Sequence, residues 1–201
     1  MPEDKQMQVL SYALRRFMSS GYSTISMDDI ARGCGVSKAT LYKWYPSKEG
    51  LFLACVNFIA ADNSQKISAV ITDTSLSLVE KLNNFFAPIA QLLSRVTPAA
   101  LDDIRRSVPE AYKKIDQTRR RLILGNFGML LDEGKKAGYV RTDVDEMVVA
   151  HMVIGTASHI IDPDVLIEFG KTPDRILDAV KSIIIRGCLT ESGLKLWNDG
   201  K

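Results

Sequence analysis

What this chain has little of narrows its function first. There are only three cysteines, Cys34, Cys55 and Cys188, odd in number and widely spaced, with no Cys-x-x-Cys pair. They fit a reducing, cytoplasmic setting better than a disulfide framework. The two histidines, His151 and His159, are eight positions apart. On one helix that places them about two turns and roughly 80° from each other, too far to share a metal without other ligands. No apolar run approaches the roughly 20 residues of a membrane span. The start, MPEDKQMQ, has no basic segment leading into an apolar one, so no export signal is expected. His-Glu-x-x-His, Gly-x-Ser-x-Gly, a P-loop and a dinucleotide fingerprint are all missing. The expectation is therefore a non-enzyme without metal or cofactor. The formal net charge is only +2, so any nucleic-acid footprint must be a local patch.

Such a patch is present. In Met27–Leu51, MDDIARGCGVSKATLYKWYPSKEGL, a short amphipathic run, a glycine turn and a second short run follow one another. Ser26 is placed to cap the first run, and Asp28 and Asp29 suit its N-terminal dipole. Met27, Ile30, Ala31 and Cys34 share one face. Gly35 is suited to the positive φ of a tight helix–helix turn, and Ser37 caps a helix running to Trp44. Leu41 and Tyr45 are expected to point inward. Lys38, Ala39, Thr40, Tyr42, Lys43 and Trp44 are expected near or on the outer face. Pro46 ends the helix and Ser47 caps the next. From Cys34 to Lys48 there are three lysines and no acid. Lysine and threonine reach phosphates or base edges, while tyrosine and tryptophan pack on sugars or thymine methyls.

The segment GYSTISMDDIARGCGVSKATLYKWYPSKEGLF resembles the N-terminal DNA-binding domain of the TetR family of transcriptional regulators. The matching elements are Gly21-Tyr22, Ile30-Ala31, Gly35-Val36-Ser37, Thr40-Leu41-Tyr42, Tyr45-Pro46-Ser47-Lys48 and Leu51-Phe52. Gly33 departs from the family's more usual alanine, and with it the end of the second helix is expected to loosen. The resemblance implies a ligand-responsive repressor that binds a palindromic operator in double-stranded DNA as a homodimer. Ser26, Lys38, Ala39, Thr40, Tyr42, Lys43, Trp44 and Lys48 are the expected DNA-binding residues, with Ser26, Tyr42 and Lys48 on phosphates.

The remainder reads as helix punctuated by proline and glycine. Leu10, Leu14 and Phe17 define a first helix over residues 1–20. A connector helix runs from about Lys48 to Val70. Later helices are expected over Leu76–Arg95, with a kink at Pro88, then from Pro98 to about Val108 and from Pro109 to about Ala137. Two more follow, over Val144–Ile161 and from Pro173 to about Thr190, before a short amphipathic tail. The expected fold is all-α with about nine helices. A three-helix head (1–50) precedes a helical effector-binding and dimerisation domain (51–201).

Val144–Ile161 is apolar nearly all round, which implies burial on more than one side. Val148, Met152, Gly155, His159, Ile176, Val180, Ile183 and Ile184 are the expected dimer face, pairing two copies through a four-helix bundle. Phe85, Phe86, Ile89, Phe127, Met129, His151 and Met152 are the expected walls of a pocket for an unidentified small molecule. Arg105–Arg121 carries seven basic residues against two acids; a solvated helix face is its default reading. The competing functional reading is a cysteine-based redox sensor or a helical enzyme.

Overall fold

The computed structural model describes residues 2–94, 96–160 and 162–199. The expected helix ends at Arg95 and Ile161 and the last tail residues, Gly200 and Lys201, lie outside the described residues. Eleven helices are found among those described: α1 (Pro2–Ser20), α2 (Met27–Cys34), α3 (Lys38–Trp44), α4 (Lys48–Thr72), α5 (Leu78–Leu93), α6 (Pro98–Ser107), α7 (Pro109–Lys136), α8 (Glu146–Ile160), α9 (Pro163–Phe169), α10 (Pro173–Cys188) and α11 (Glu191–Asp199). Beyond the nine expected helices are α9 and α11. Pro163 opens α9, since proline is at home in a first helical turn; Asp162 caps α9 by accepting from the Asp164 amide. Helix α5 runs through Pro88, the position of the expected kink, without ending there.

Local chemistry sets most boundaries. Ser26 and Asp29 form a reciprocal capping box at the start of α2. Ser37 accepts from the Thr40 amide, Ser47 from the Gly50 amide and Thr97 from the Ala100 amide. Gly35 closes α2 at φ 63°, a left-handed cap that a β-carbon disfavours. Gly33 does not loosen α2, which runs on to Cys34. A β-carbon at Gly33 would lie 2.2 Å from the Tyr12 hydroxyl of α1. Glycine there lets α1 and α2 approach with the tyrosine ring between them.

The head core is Val9, Ala13 and Phe17 of α1, Ile30 of α2, Leu41 of α3, and Leu51, Phe52 and Cys55 of α4, all buried. Phe17, Tyr22 and Phe52 meet edge-on or stacked, with ring centres 5.3–5.6 Å apart. α4 leaves the head and packs on α5 and α7. α7 lies antiparallel to α8: Lys135 pairs with Glu146 at one end, and Arg119 donates to Ser158 at the other. Lys81 of α5 is buried and pairs with Glu133 of α7 through both carboxylate oxygens, at 2.8 and 2.9 Å.

α6 braces the head from below. The Ser23 amide donates to Asp103 Oδ2 at 2.6 Å, and the Thr97 amide donates to the Met18 carbonyl at 3.4 Å. Burial alone would push the Asp103 carboxyl up. The hydrogen bonds from Ser23 and Ser107 outweigh it, leaving the pKa below the ordinary Asp value. The brace therefore contributes fully above the unfolded carboxylate pKa of about 3.9 and is lost only as pH falls through the lower folded value. Asp103→Ala is expected to cost about 1 kcal/mol, discounted for partial exposure. Amide exchange should quicken through residues 21–26 while α10 is unchanged. Unaltered exchange at Ser23 would refute the brace.

Candidate nucleic-acid interface and interior cavity

α3 has seven residues, so one face must hold the helix and the other is free. Leu41 is fully buried and Trp44, one turn on, is half-buried and packs against the core. Lys38, Ala39, Tyr42 and Lys43 stand exposed on the opposite side, with Tyr42 47% exposed. Thr40 lies at the margin, its hydroxyl 2.8 Å from that of Ser37. Trp44 is thus a correction: three residues after Leu41, it shares the inward face.

The lysines of this surface are not equivalent. Lys38 is ion-paired with Asp28 of α2. Lys48 is half-buried, with its ammonium 4.3 Å from the centre of the Tyr22 ring and 3.4 Å from the Ser23 carbonyl. Desolvation lowers its pKa, partly opposed by Asp103. Lys43 is exposed and makes no ion pair with a described residue. Ser26 gives its hydroxyl to Asp29 at 2.5 Å, so its first role is the cap. Lys43 and Tyr42 are therefore the freest groups on the exposed face.

The interior holds a cavity of about 120 Å³ in a place the sequence did not indicate. Its walls come from Met18 of α1, Val56, Ile59 and Asn63 of α4, Ile89 of α5, Leu101 and Ile104 of α6, Tyr112 and Arg119 of α7, and Ala157 of α8. Of the seven expected wall residues only Ile89 lines it. Phe85, Phe86 and Phe127 are buried against one another, with ring centres 5.1–5.7 Å apart, as filled core. Met129, His151 and Met152 are exposed on the outside. Apolar character did not distinguish packed space from empty space.

Arg119 is the chemically distinctive wall residue. It is ion-paired with Asp116, and one terminal nitrogen also donates to Ser158 Oγ at 2.8 Å. Its Nε is buried without a hydrogen-bond partner. Desolvation lowers its pKa, opposed by Asp116. The basic run that contains it read as a solvated face, and only the packing of α7 on α8 turns this one arginine inward.

The expected dimer residues divide in two. Val148, Met152, Gly155 and His159 all stand exposed along α8, as does Ile183 on α10. Ile176 is buried, and Val180 and Ile184 are half-buried against the subunit's own core. These three are corrections, because α10 needs that stripe to pack on α5 and α8.

The exposed helix, its capped partner and the glycine turn define a helix-turn-helix DNA-binding domain. Residues 9–55 match the model for bacterial regulatory proteins, tetR family. Over 183 residues the chain is 24% identical to the uncharacterized HTH-type transcriptional regulator YvaF of Bacillus subtilis (strain 168), covering 90% of this chain and 93% of that one. A TetR transcriptional regulator from Legionella pneumophila shares the fold with a TM-score of 0.66 at 19% identity, over 90% of this chain and 95% of that one. The transcriptional regulator FadR from Bacillus subtilis, solved in complex with stearoyl-CoA, does so with a TM-score of 0.60 at 19% identity, over 90% and 98%. Residues 9–55 are thus similar to the DNA-binding domain of tetR-family regulators, and the whole chain shares their all-helical fold.

Lys43→Ala is expected to weaken binding to every DNA sequence and to reduce the slope of log K against log salt by about one. Lys38→Ala should change the slope less, because Asp28 already neutralises that lysine. Equal slopes for the wild type and Lys43→Ala in a salt titration would remove Lys43 from the phosphate contacts.

Proposed function

We propose that the protein is a cytoplasmic homodimeric repressor that binds a palindromic operator and is released by a small molecule held in the α1–α4–α6–α7 cavity. The carrying observation is that the cavity and the head share their supports. Met18 lies on the helix that forms the head's back, Val56 and Ile59 on the connector, and Leu101 and Ile104 on the helix whose Asp103 holds the Ser23 amide. A molecule pressing on these walls acts on the elements that orient α3.

Residues 1–50 serve as the reading head and 51–201 as the effector and dimer body. Two heads related by a two-fold axis meet half-sites about 34–36 Å apart, one turn of DNA. Ligand and DNA oppose each other reciprocally by favouring different head spacings. The FadR complex with stearoyl-CoA supports small-molecule binding by a protein of this architecture. No helix among the described residues is long and apolar enough to cross a membrane.

The thiol-sensor alternative has little support. Burial raises the pKa of Cys34 and Cys188, and that of Cys55 to about 12. Neutral, protonated thiols are poor nucleophiles. Selection of bound DNA from a random pool tests the repressor reading directly. The expected result is an inverted repeat with half-sites one turn or a small multiple apart. Enrichment of a lone, asymmetric half-site would overturn it.

A further inference from the structure

We infer that the cavity takes an uncharged, ring-sized molecule bearing one carbonyl oxygen, and that the Arg119 Nε–H selects it. This rests on reading the cavity as the effector site. The volume sets the size. An engineered apolar cavity of about 150 Å³ holds benzene, so about 120 Å³ suits a single-ring molecule of no more than roughly six or seven heavy atoms. The walls set the body: Ile59, Leu101, Ile104 and Leu122 present only hydrocarbon.

The polar end follows from Arg119. Its Nε is buried and unpartnered, whereas a terminal nitrogen is already engaged by Asp116 and Ser158. An N–H is a donor only, so the missing partner is an acceptor. Leaving a buried donor unpaired is unfavourable, and a ligand oxygen removes that penalty. The acceptor is uncharged because Asp116 already balances the guanidinium. No second cation lines the cavity among the described residues. A carboxylate placed there would be desolvated without a counter-ion of its own. Asn63, 8% exposed, brings an amide to the α4 side of the same space.

A rival occupant is a long-chain anion. A cleft beside the cavity shares Ala60, Thr118 and Leu122 with it and carries Lys114 and Arg121 at its rim. A fatty carboxylate would lay its head there. The two occupants separate cleanly in a binding experiment.

The test is titration calorimetry of the full-length protein without DNA, using cyclohexanone, toluene, cyclohexanecarboxylate and decanoate. Cyclohexanone is expected to bind at least tenfold tighter than the other three. Arg119→Lys keeps a cation beside Asp116 but removes the Nε–H. It is expected to weaken cyclohexanone about tenfold and to leave toluene unchanged. Ala157→Leu fills the cavity from α8 and is expected to abolish binding of both rings. Circular dichroism confirms that each variant is folded.

Equal or tighter binding of either carboxylate overturns the proposal. So does equal affinity for ketone and hydrocarbon, indifference to either variant, or no binding of any probe at millimolar concentration. DNA release is read separately. A ketone that binds as stated but leaves operator affinity unchanged upholds the cavity chemistry and refutes the cavity as the trigger.

Discussion

The double variant Met152→Glu/Ile183→Glu is expected to be a folded monomer with operator affinity reduced by at least a hundredfold. Met152 is 54% and Ile183 72% exposed in the subunit, and Met147 and Val148 add 56% each on the same helix as Met152. Isolated exposed apolar residues need no explanation. Four large ones on two packed helices are a patch, and patches mark contact surfaces. Fully burying such a side chain contributes about 1.5–3 kcal/mol. The symmetry of a pair doubles each contribution and also doubles each introduced charge. Because both positions face outward, the fold itself loses little. DNA affinity falls because two tethered heads gain about 10²–10⁴ over one through effective concentration. Sedimentation velocity and a gel shift on the selected operator provide the readout. A variant that still sediments as a dimer would rule out the α8–α10 face.

Phe127→Ala is expected to destabilise the protein by about 3–5 kcal/mol, the range for a large aromatic removed from a packed core. At roughly 2–4 °C per kcal/mol for a chain of this size, the melting temperature falls by about 10 °C. Phe127 is fully buried with Phe85 5.4 Å and Phe86 5.7 Å away, centre to centre. Phe85 and Phe86 are buried against each other, 5.1 Å centre to centre, so they cannot both move in to fill the space of the lost ring. Met129→Ala, two residues along the same helix, is expected to stay within about 0.5 kcal/mol, because its side chain is 57% exposed. Urea unfolding of the two variants checks both figures. Similar losses for the pair would mean that the aromatic cluster is not the packed centre of the body.

These two variants mark where the sequence could be read and where it could not. Ser26, Ser37 and Ser47 cap the helices they precede, and Gly35 takes its left-handed turn. Such signals are local, lying within three or four residues of what they control. Pro98, Pro109 and Pro173 likewise open α6, α7 and α10. Trp44 is held inward by its register with Leu41, three residues earlier, which outweighs the aromatic chemistry that suits it to a DNA surface. The position of the cavity is illegible for a deeper reason. Periodicity reports that Phe85, Phe86 and Phe127 are turned inward, but not whether other atoms fill the space in front of them. Arg119 was hidden in a basic run that is otherwise mostly solvated, and its inward turn is decided by Ser158, thirty-nine residues away.

The strut formed by residues 98–107 carries a practical lesson for chimaeric biosensors. Grafting only the first 50 residues onto a foreign body would strand the Ser23 amide and strip the cover from Met18. A transplant that keeps the reader switchable must bring α6 along with it, although residues 51–97 lie between.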